Sequence, residues 1–106
     1  SAELVSNVDK MFKSKTILQE HYLKHGNQIA NVLGEVRYTI ENYLQDANSI
    51  IQNGTYVPEL NGYVRFLQGK KYGFVGLDRL TGAITTFHIK TVEELIKLAP
   101  SLGFGK

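Results

Sequence analysis

The sequence predicts an α+β domain, in which N-terminal helices pack on a small C-terminal antiparallel β-meander of three to four strands, with a short helix at the end. The change of hydrophobic period along the chain leads to this prediction. Apolar residues recur at helical spacing up to about residue 54, and from residue 55 they alternate with period two between glycine-containing turns. The 106 residues, 42% of them apolar, suffice for one modest core, so we expect a single domain over residues 1–106.

Two helices are predicted at the start of the chain. Thr16 and Gln19 have the spacing of a capping box, so we expect a helix that begins near Ile17 and ends at Gly26, where glycine offers the left-handed conformation. A lead-in helix is expected before it, over residues 3–12, because apolar residues there have helical spacing. These apolar residues are Leu4, Val8, Met11 and Phe12.

The most regular helical pattern of the chain ends at Asn53-Gly54. An apolar stripe with charged residues kept off it predicts a long amphipathic helix here. We expect Tyr38 and Tyr43 to be core or boundary residues rather than ligand contacts. The stripe consists of Val36, Ile40, Leu44, Ala47 and Ile51.

The second half of the chain predicts the meander. Pro58 restricts the first strand to an edge or a strand end, because proline cannot donate a hydrogen bond within a sheet. Thr91 and Glu94 have the spacing of a second capping box, which predicts a short helix that stops at Pro100. The predicted strands are Tyr56-Val57 and residues 63–67, 72–75 and 83–89.

His21, Lys24 and His25 form the first candidate site. Helical spacing places both imidazoles on one face with the ammonium group beside them, so two groups that transfer protons near neutral pH lie within about one turn of a fixed cation. These groups are typical of a metal-independent nuclease. The alternative is structural, since Lys and His in the last turn of a helix also satisfy its final carbonyls.

No metal or other cofactor is expected. The His-x-x-x-His spacing supplies only two zinc ligands and lacks the Glu of the metalloprotease motif, and the chain contains no cysteine.

The last strand carries the third histidine. Alternation along the strand separates a core face from an opposite face, where a hydroxyl and an imidazole project together. Such polar groups are costly in a core and useful in a phosphate site. A short meander could bring this strand to the helix that carries the other two histidines. We expect Thr85, Phe87 and Ile89 on the core face and Ile84, Thr86 and His88 on the opposite face.

Basic residues concentrate in the second half of the chain. Residues 61–90 contain five basic residues against Asp78 alone, although the whole chain has a net charge of only +2. A basic surface of this kind fits a polyanionic ligand, and solvated turns are an equally ordinary place for such residues. Tyr63 and Tyr72 could stack on bases, although packing within the sheet is the commoner use of tyrosine. The basic candidates for substrate binding are Arg65, Lys70 and Lys71.

The order of these motifs resembles the toxin domains of contact-dependent growth inhibition and other bacterial polymorphic systems. More narrowly, it resembles those with the barnase, EndoU and colicin D type of ribonuclease fold. The resemblance covers roughly residues 17–90. Its motifs are Lys24-His25-Gly26, a long helix, Thr55-Tyr56, a basic hairpin and residues 82–88. The matching site positions are His21, Lys24, His25, Thr86 and His88, and His88 stands where colicin D carries a tryptophan.

The resemblance implies a ribonuclease toxin that cleaves RNA, often transfer RNA, and a cognate immunity protein. It also implies a fragment of a larger effector that a producer cell secretes or displays and that acts in the cytoplasm of a target bacterium. No apolar run approaches the length of a membrane span, so we expect no membrane contact from this domain.

Attack by the ribose 2′-hydroxyl is the cleavage mechanism that fits both the candidate site and the resemblance. A base takes its proton, the oxygen attacks the adjacent phosphorus, and an acid protonates the departing 5′-oxygen. We expect Lys24 and Arg65 to meet the charge on the phosphate, with help from the hydroxyl of Thr86. Which histidine is base and which is acid stays open. The alternative is a non-catalytic module that binds nucleic acid or a protein.

Overall fold

The computed structural model describes residues 10–105, in which the predicted α+β fold is confirmed. Four antiparallel strands form one sheet, in which each strand pairs with its neighbour along the chain. The first predicted strand, which Pro58 restricts, is present as a short strand at one edge of the sheet. In chain order the elements are α1 (Lys15–Leu33), α2 (Ile40–Asn53), β1 (Thr55–Val57), β2 (Gly62–Gln68), β3 (Lys71–Leu77), β4 (Ile84–Thr91), α3 (Val92–Leu98) and a 3-10 turn (Pro100–Leu102).

Helix α1 begins earlier than predicted. Its N-cap is Ser14, whose hydroxyl accepts a hydrogen bond from the Ile17 amide at 3.1 Å. The predicted capping box of Thr16 and Gln19 is therefore wrong, because both residues already lie inside the first turns of the helix.

Helix α1 also continues beyond Gly26, contrary to the prediction. Gly26 is buried inside the helix, where a Cβ atom would lie only 3.0 Å from the Tyr22 ring, so this glycine allows a close approach rather than a turn. The helix ends at Gly34, which has a left-handed φ of 73°. The two histidines of α1 thus lie in the middle of a long helix.

Helix α2 begins at Ile40 because Thr39 and Asn42 form a reciprocal capping box. Val36 precedes this cap and is 93% exposed, so its predicted place on the apolar stripe is wrong. Tyr43 is fully buried and Tyr38 packs at the edge of the core, which confirms their predicted structural role.

The predicted lead-in helix lies largely outside the described residues, which begin at Lys10. Its last position, Phe12, is not helical but forms an isolated parallel bridge with Ile84. The Ile84 amide donates to the carbonyl of Met11, and the Lys13 amide donates to the carbonyl of Ile84, both at 2.9 Å. These backbone hydrogen bonds to Ile84 therefore hold the segment alongside β4.

A bulge near the start of β4 changes the predicted faces of this strand. Gly76 pairs with Thr86, whereas the next residue of β3, Leu77, pairs with Ile84, so Thr85 is an extra residue. The bulge turns Ile84 into the core, where it is fully buried beside Phe87. The prediction that placed Ile84 on the face of Thr86 is therefore wrong.

Apolar clusters cover both faces of the sheet. The larger one fills the space between α1, α2 and the sheet, and the smaller one lies under α3, whose predicted cap of Thr91 and Glu94 is confirmed. The larger cluster contains Phe12, Ile29, Tyr43, Ala47, Ile50, Val75, Ile84 and Phe87. The smaller cluster contains Val57, Val64, Phe74, Leu95 and Ala99.

No helix within residues 10–105 is long and apolar enough to cross a lipid bilayer.

Candidate active site

Helix α1 and the edge strand β4 bring all three histidines together. His21 and His25 are one helical turn apart, a rise of about 6 Å, and Thr86 and His88 are two strand residues apart, a rise of about 7 Å. Because the two rises nearly match, His21 meets Thr86 and His25 meets His88. We call these four residues the imidazole cluster.

The hydroxyl of Thr86 lies between two imidazoles. Its Oγ1 atom is 3.1 Å from Nδ1 of His21 and 2.8 Å from Nδ1 of His88. The ring of His25 completes the cluster, with its centroid 5.5 Å from that of His21 and 5.1 Å from that of His88. Three groups able to carry a proton thus lie within one small area.

Aromatic side chains form the walls of the cluster. The Phe74 ring centroid lies 5.5 Å from that of His88, and the Phe12 ring centroid lies 6.3 Å from that of His21. The imidazoles are partly buried, whereas Lys24 is exposed at the border of the cluster. The rings are thus shielded from bulk water on one side and remain open to a ligand on the other.

Burial lowers the pKa of all three histidines, because it disfavours the charged imidazolium. The positive charge of Lys24 lowers the pKa of His21 further, and repulsion from His21 and Lys24 does the same for His25. His88 is affected most: burial, followed by Lys90 and the two other histidines, lowers its pKa to about 4. All three imidazoles are therefore mainly neutral at pH 7.

The structure excludes the helix-end interpretation of His21 and His25. Helix α1 continues from His25 to Leu33, so neither histidine lies in its last turn, and the final carbonyls accept instead from the amide of Gly34. The structural alternative raised by the sequence therefore does not account for these two imidazoles.

Arg65 and Tyr63 do not join the imidazole cluster. Arg65 pairs with Gly73, which pairs with Ile89, so its side chain lies on the sheet face opposite that of His88. There its Nη1 atom lies 3.4 Å from the hydroxyl oxygen of Ser49 in α2. Tyr63 lies on the same face as Arg65 and packs against the larger apolar cluster. The prediction that Arg65 stabilises the charge of a phosphate at this site is therefore wrong.

Tyr72 lies on the face of His88 but in a separate group of aromatic rings. Its ring centroid is 5.6 Å from that of Phe66 and 5.3 Å from that of Phe104. Packing of aromatic side chains thus accounts for the position of Tyr72.

Lys70 and Lys71 lie at the hairpin between β2 and β3, away from the imidazole cluster. Both are exposed, and Lys70 Nζ is 3.7 Å from a carboxylate oxygen of Glu93 at the start of α3. Lys71 pairs with Thr91, three residues beyond His88 in β4. These two lysines therefore belong to the surface around the site rather than to the site itself.

Lys90 and Phe74 border the imidazole cluster, and neither was expected at the site from the sequence. Phe74 is the cross-strand partner of His88, and Lys90 Nζ lies 5.1 Å from the centroid of the Phe74 ring. The sequence spacing could have indicated Lys90, because this residue follows His88 by two positions and therefore lies on the same face of the strand. Phe74 could be assigned to the site only from the register between β3 and β4, which pairs it with His88.

The residues of the described range include no group of three or more His, Cys, Asp or Glu side chains arranged to hold a metal ion.

No family model, no curated protein and no solved structure matches this chain. The resemblance to the polymorphic toxin ribonucleases therefore stays a prediction.

Proposed function

We propose that this chain is a metal-independent endoribonuclease. The observation that supports this proposal best is the contact of His21 and His88 with the hydroxyl of Thr86, with the ring of His25 beside both imidazoles and Lys24 at the border. RNA carries its own nucleophile in the ribose 2′-hydroxyl, so the enzyme needs only a base, an acid and positive charge near the phosphate. The imidazole cluster offers the base and the acid, and Lys24 at its border offers the positive charge.

The lowered pKa values suit the first step of this reaction. A neutral imidazole has a lone pair that can accept the 2′-hydroxyl proton, and burial keeps these imidazoles mainly neutral at pH 7. The attacking oxygen then bonds to phosphorus while the bond to the 5′-oxygen breaks. A protonated imidazole supplies the proton that the 5′-oxygen needs as it leaves.

Lys24 and Lys90 are the cations available to the phosphate. Lys24 precedes His25 in α1, and Lys90 lies on the face of His88 in β4. We therefore assign the charge-stabilising role to Lys90 instead of Arg65. The proposal predicts that Lys24→Ala and Lys90→Ala each weaken cleavage more than Arg65→Ala.

The resemblance extends this proposal to a biological role. We propose that the substrate is transfer RNA, that a cognate immunity protein protects the producing cell, and that a larger effector delivers the domain into the cytoplasm of a competing bacterium. The partial burial of the imidazole cluster is compatible with such a toxin. A direct test is growth arrest on expression that an adjacent immunity gene relieves.

The enzymatic proposal is tested with purified protein and bulk RNA in the presence of EDTA. We expect cleavage to continue, with products that end in 2′,3′-cyclic phosphate. A DNA of the same sequence should remain intact, because it lacks the attacking hydroxyl. RNA that is bound but not cut would favour the alternative of a non-catalytic binding module. Activity lost on chelation and restored by a divalent ion would instead indicate a metal site among the histidines.

A further inference from the structure

We propose that Thr86 sets opposite tautomers in His21 and His88, so that Nε2 of His21 accepts a proton and Nε2 of His88 donates a hydrogen bond. The catalytic meaning of this inference rests on the proposed function. The tautomers themselves can be measured whether or not the chain cleaves RNA.

The number of hydrogens between the three groups requires opposite tautomers. A hydroxyl has one hydrogen, so Thr86 can donate to only one of the two Nδ1 atoms that it contacts at 3.1 and 2.8 Å. The other Nδ1 must itself carry a hydrogen and donate to Oγ1. A neutral imidazole carries a single hydrogen, so one ring is protonated at Nδ1 and the other at Nε2.

The two distances indicate the direction of this relay. Hydrogen bonds donated by a hydroxyl are commonly about 2.7–2.8 Å long, and those donated by an N–H group are about 2.9–3.0 Å long. The 2.8 Å contact therefore fits donation from Thr86 to Nδ1 of His88, and the 3.1 Å contact fits donation from Nδ1 of His21 to Thr86. His21 then has a free lone pair at Nε2, whereas His88 has an N–H group there.

The fold holds the Thr86 hydroxyl in this position. The bulge at Thr85 resets the alternation of β4, and Gly76 lies directly across from Thr86 in β3. A Cβ atom at Gly76 would lie 3.0 Å from the Thr86 methyl carbon, so the absence of a side chain there leaves room for the methyl group. With its methyl group packed in this space, Thr86 turns its hydroxyl toward the imidazoles.

This arrangement assigns the roles that the sequence left open. Nε2 of His21 takes the proton from the 2′-hydroxyl as the bond from that oxygen to phosphorus forms. Nε2–H of His88, still neutral, donates a hydrogen bond to a non-bridging phosphate oxygen. His25, in its protonated form, gives a proton to the 5′-oxygen as the bond from phosphorus to that oxygen breaks. Thr86 is thus a positioning residue that acts through the two imidazoles.

The decisive experiment is ¹⁵N NMR of the imidazoles at neutral pH, where the shifts of Nδ1 and Nε2 distinguish the tautomers. We expect His21 protonated at Nδ1 and His88 protonated at Nε2 in the wild type. Thr86→Ser should keep this pattern, because it keeps the hydroxyl. Thr86→Val should release both His21 and His88 to populate both neutral tautomers, whereas the neighbouring control Thr85→Val should change neither ring.

The wild-type spectrum decides the inference even if a variant does not fold. The same tautomer in both rings, or the reverse assignment, would overturn it. An unchanged spectrum in folded Thr86→Val would overturn it as well, because the hydroxyl would then not set the tautomers.

Kinetics on RNA separate this inference from the proposed function. We expect Thr86→Val to lower kcat by about a hundredfold with KM changed less than about threefold, and Thr86→Ser to restore most of the rate. If the wild type shows the expected tautomers but cuts no RNA, the ribonuclease proposal fails and the role of Thr86 in setting tautomers stands. If RNA is cut but the tautomers differ from those expected, the ribonuclease proposal stands and the role of Thr86 fails.

Discussion

His88 illustrates how one residue of the site can destabilise the fold in acid. Its ring packs on Phe74 and faces His25, and its environment lowers its pKa to about 4. Burial is the main cause, Lys90 and His25 repel the charged form of the ring, and the carboxylate of Glu94 only partly offsets them. A group placed at such a cost is a functional candidate, because perturbed pKa values concentrate at active sites.

The lowered pKa of His88 predicts a loss of stability in acid. Between the unfolded pKa of 6.5 and the folded value of about 4, the unfolded chain binds a proton that the folded chain does not. The free energy of unfolding should therefore fall as the pH is lowered from about 7 to about 4. The substitution His88→Phe removes this titration, so its Tm should fall less than that of the wild type over the same range.

Thermal unfolding followed by circular dichroism at several pH values measures this effect. The difference between wild type and variant is the relevant quantity, because the other titrating groups contribute almost equally to both proteins. An identical pH dependence of Tm in the two proteins would contradict the lowered pKa of His88.

The proton-transfer roles predict large losses of activity from small substitutions. His21→Ala, His25→Ala and Thr86→Ala should each lower cleavage of RNA at least about a hundredfold, which is the usual effect of removing a proton-transfer or charge-stabilising group. Circular dichroism should show that the fold is retained. Folded His21 and His25 variants with near-wild-type cleavage would make the imidazole cluster structural.

His88→Phe is a separate test of the third imidazole. We expect this variant to lose activity, because phenylalanine cannot donate a hydrogen bond to phosphate. Retained activity would indicate that the residue stacks on a base rather than donating a hydrogen bond.

At the scale of elements, the site depends on the alignment of α1 with β4. The start of α1 sets where His21 and His25 lie along the strand, and the side chain of Ser14 caps that start. The bulge in β4 sets which face carries Thr86. Neither element contains the site alone, because each supplies only part of the imidazole cluster.

Two adjacent substitutions test the observed start of α1. Ser14→Ala should destabilise the protein by about 0.5–2 kcal/mol, because the Ile17 amide loses the hydroxyl that caps it. Thr16→Ala is the matched control, and it should change the free energy of unfolding by no more than about 0.5 kcal/mol, since Thr16 is an exposed helical residue. Urea unfolding measures both values. A larger loss of stability in Thr16→Ala would instead support the predicted capping box of Thr16 and Gln19.

At the scale of the whole molecule, the basic residues lie on more than one surface. Lys70 and Lys71 lie at the β2–β3 hairpin, Lys90 lies beside the imidazole cluster, and Arg65 lies on the opposite face of the sheet. The predicted single basic surface is therefore divided. For the proposed immunity protein, the hairpin and the side of Lys90 remain the surfaces where charge can guide binding.

We expect the proposed immunity protein to be acidic and to compete with RNA. Reversing the charge of Lys70 and Lys71 to glutamate should then lower its association rate and weaken the dependence of that rate on salt. Reversing Lys15 and Arg37 instead gives the same net charge at other exposed positions and serves as the control. Stopped-flow association at several salt concentrations measures both pairs. Unchanged association in the hairpin variant, or a complex that binds RNA as well, would place the interface elsewhere.

Local patterns alone were enough to predict the fold class, the meander and the cap of α3. Hydrophobic periodicity and capping spacings depend on residues close together in the chain, so they can be read without a structure. The same patterns placed Thr86 and His88 together on one face of a strand. They also identified His21 and His25 as neighbours on one face of a helix.

Tertiary structure alone decided how these pieces combine. The pairing of Leu77 with Ile84 produces the bulge at Thr85, and this pairing has no local signal in the sequence. The separation of Arg65 from His88 follows from strand register, which side chains of three strands determine together. The contact between Thr86 and His21 joins residues 65 positions apart, at a distance that only the docking of α1 on β4 could set.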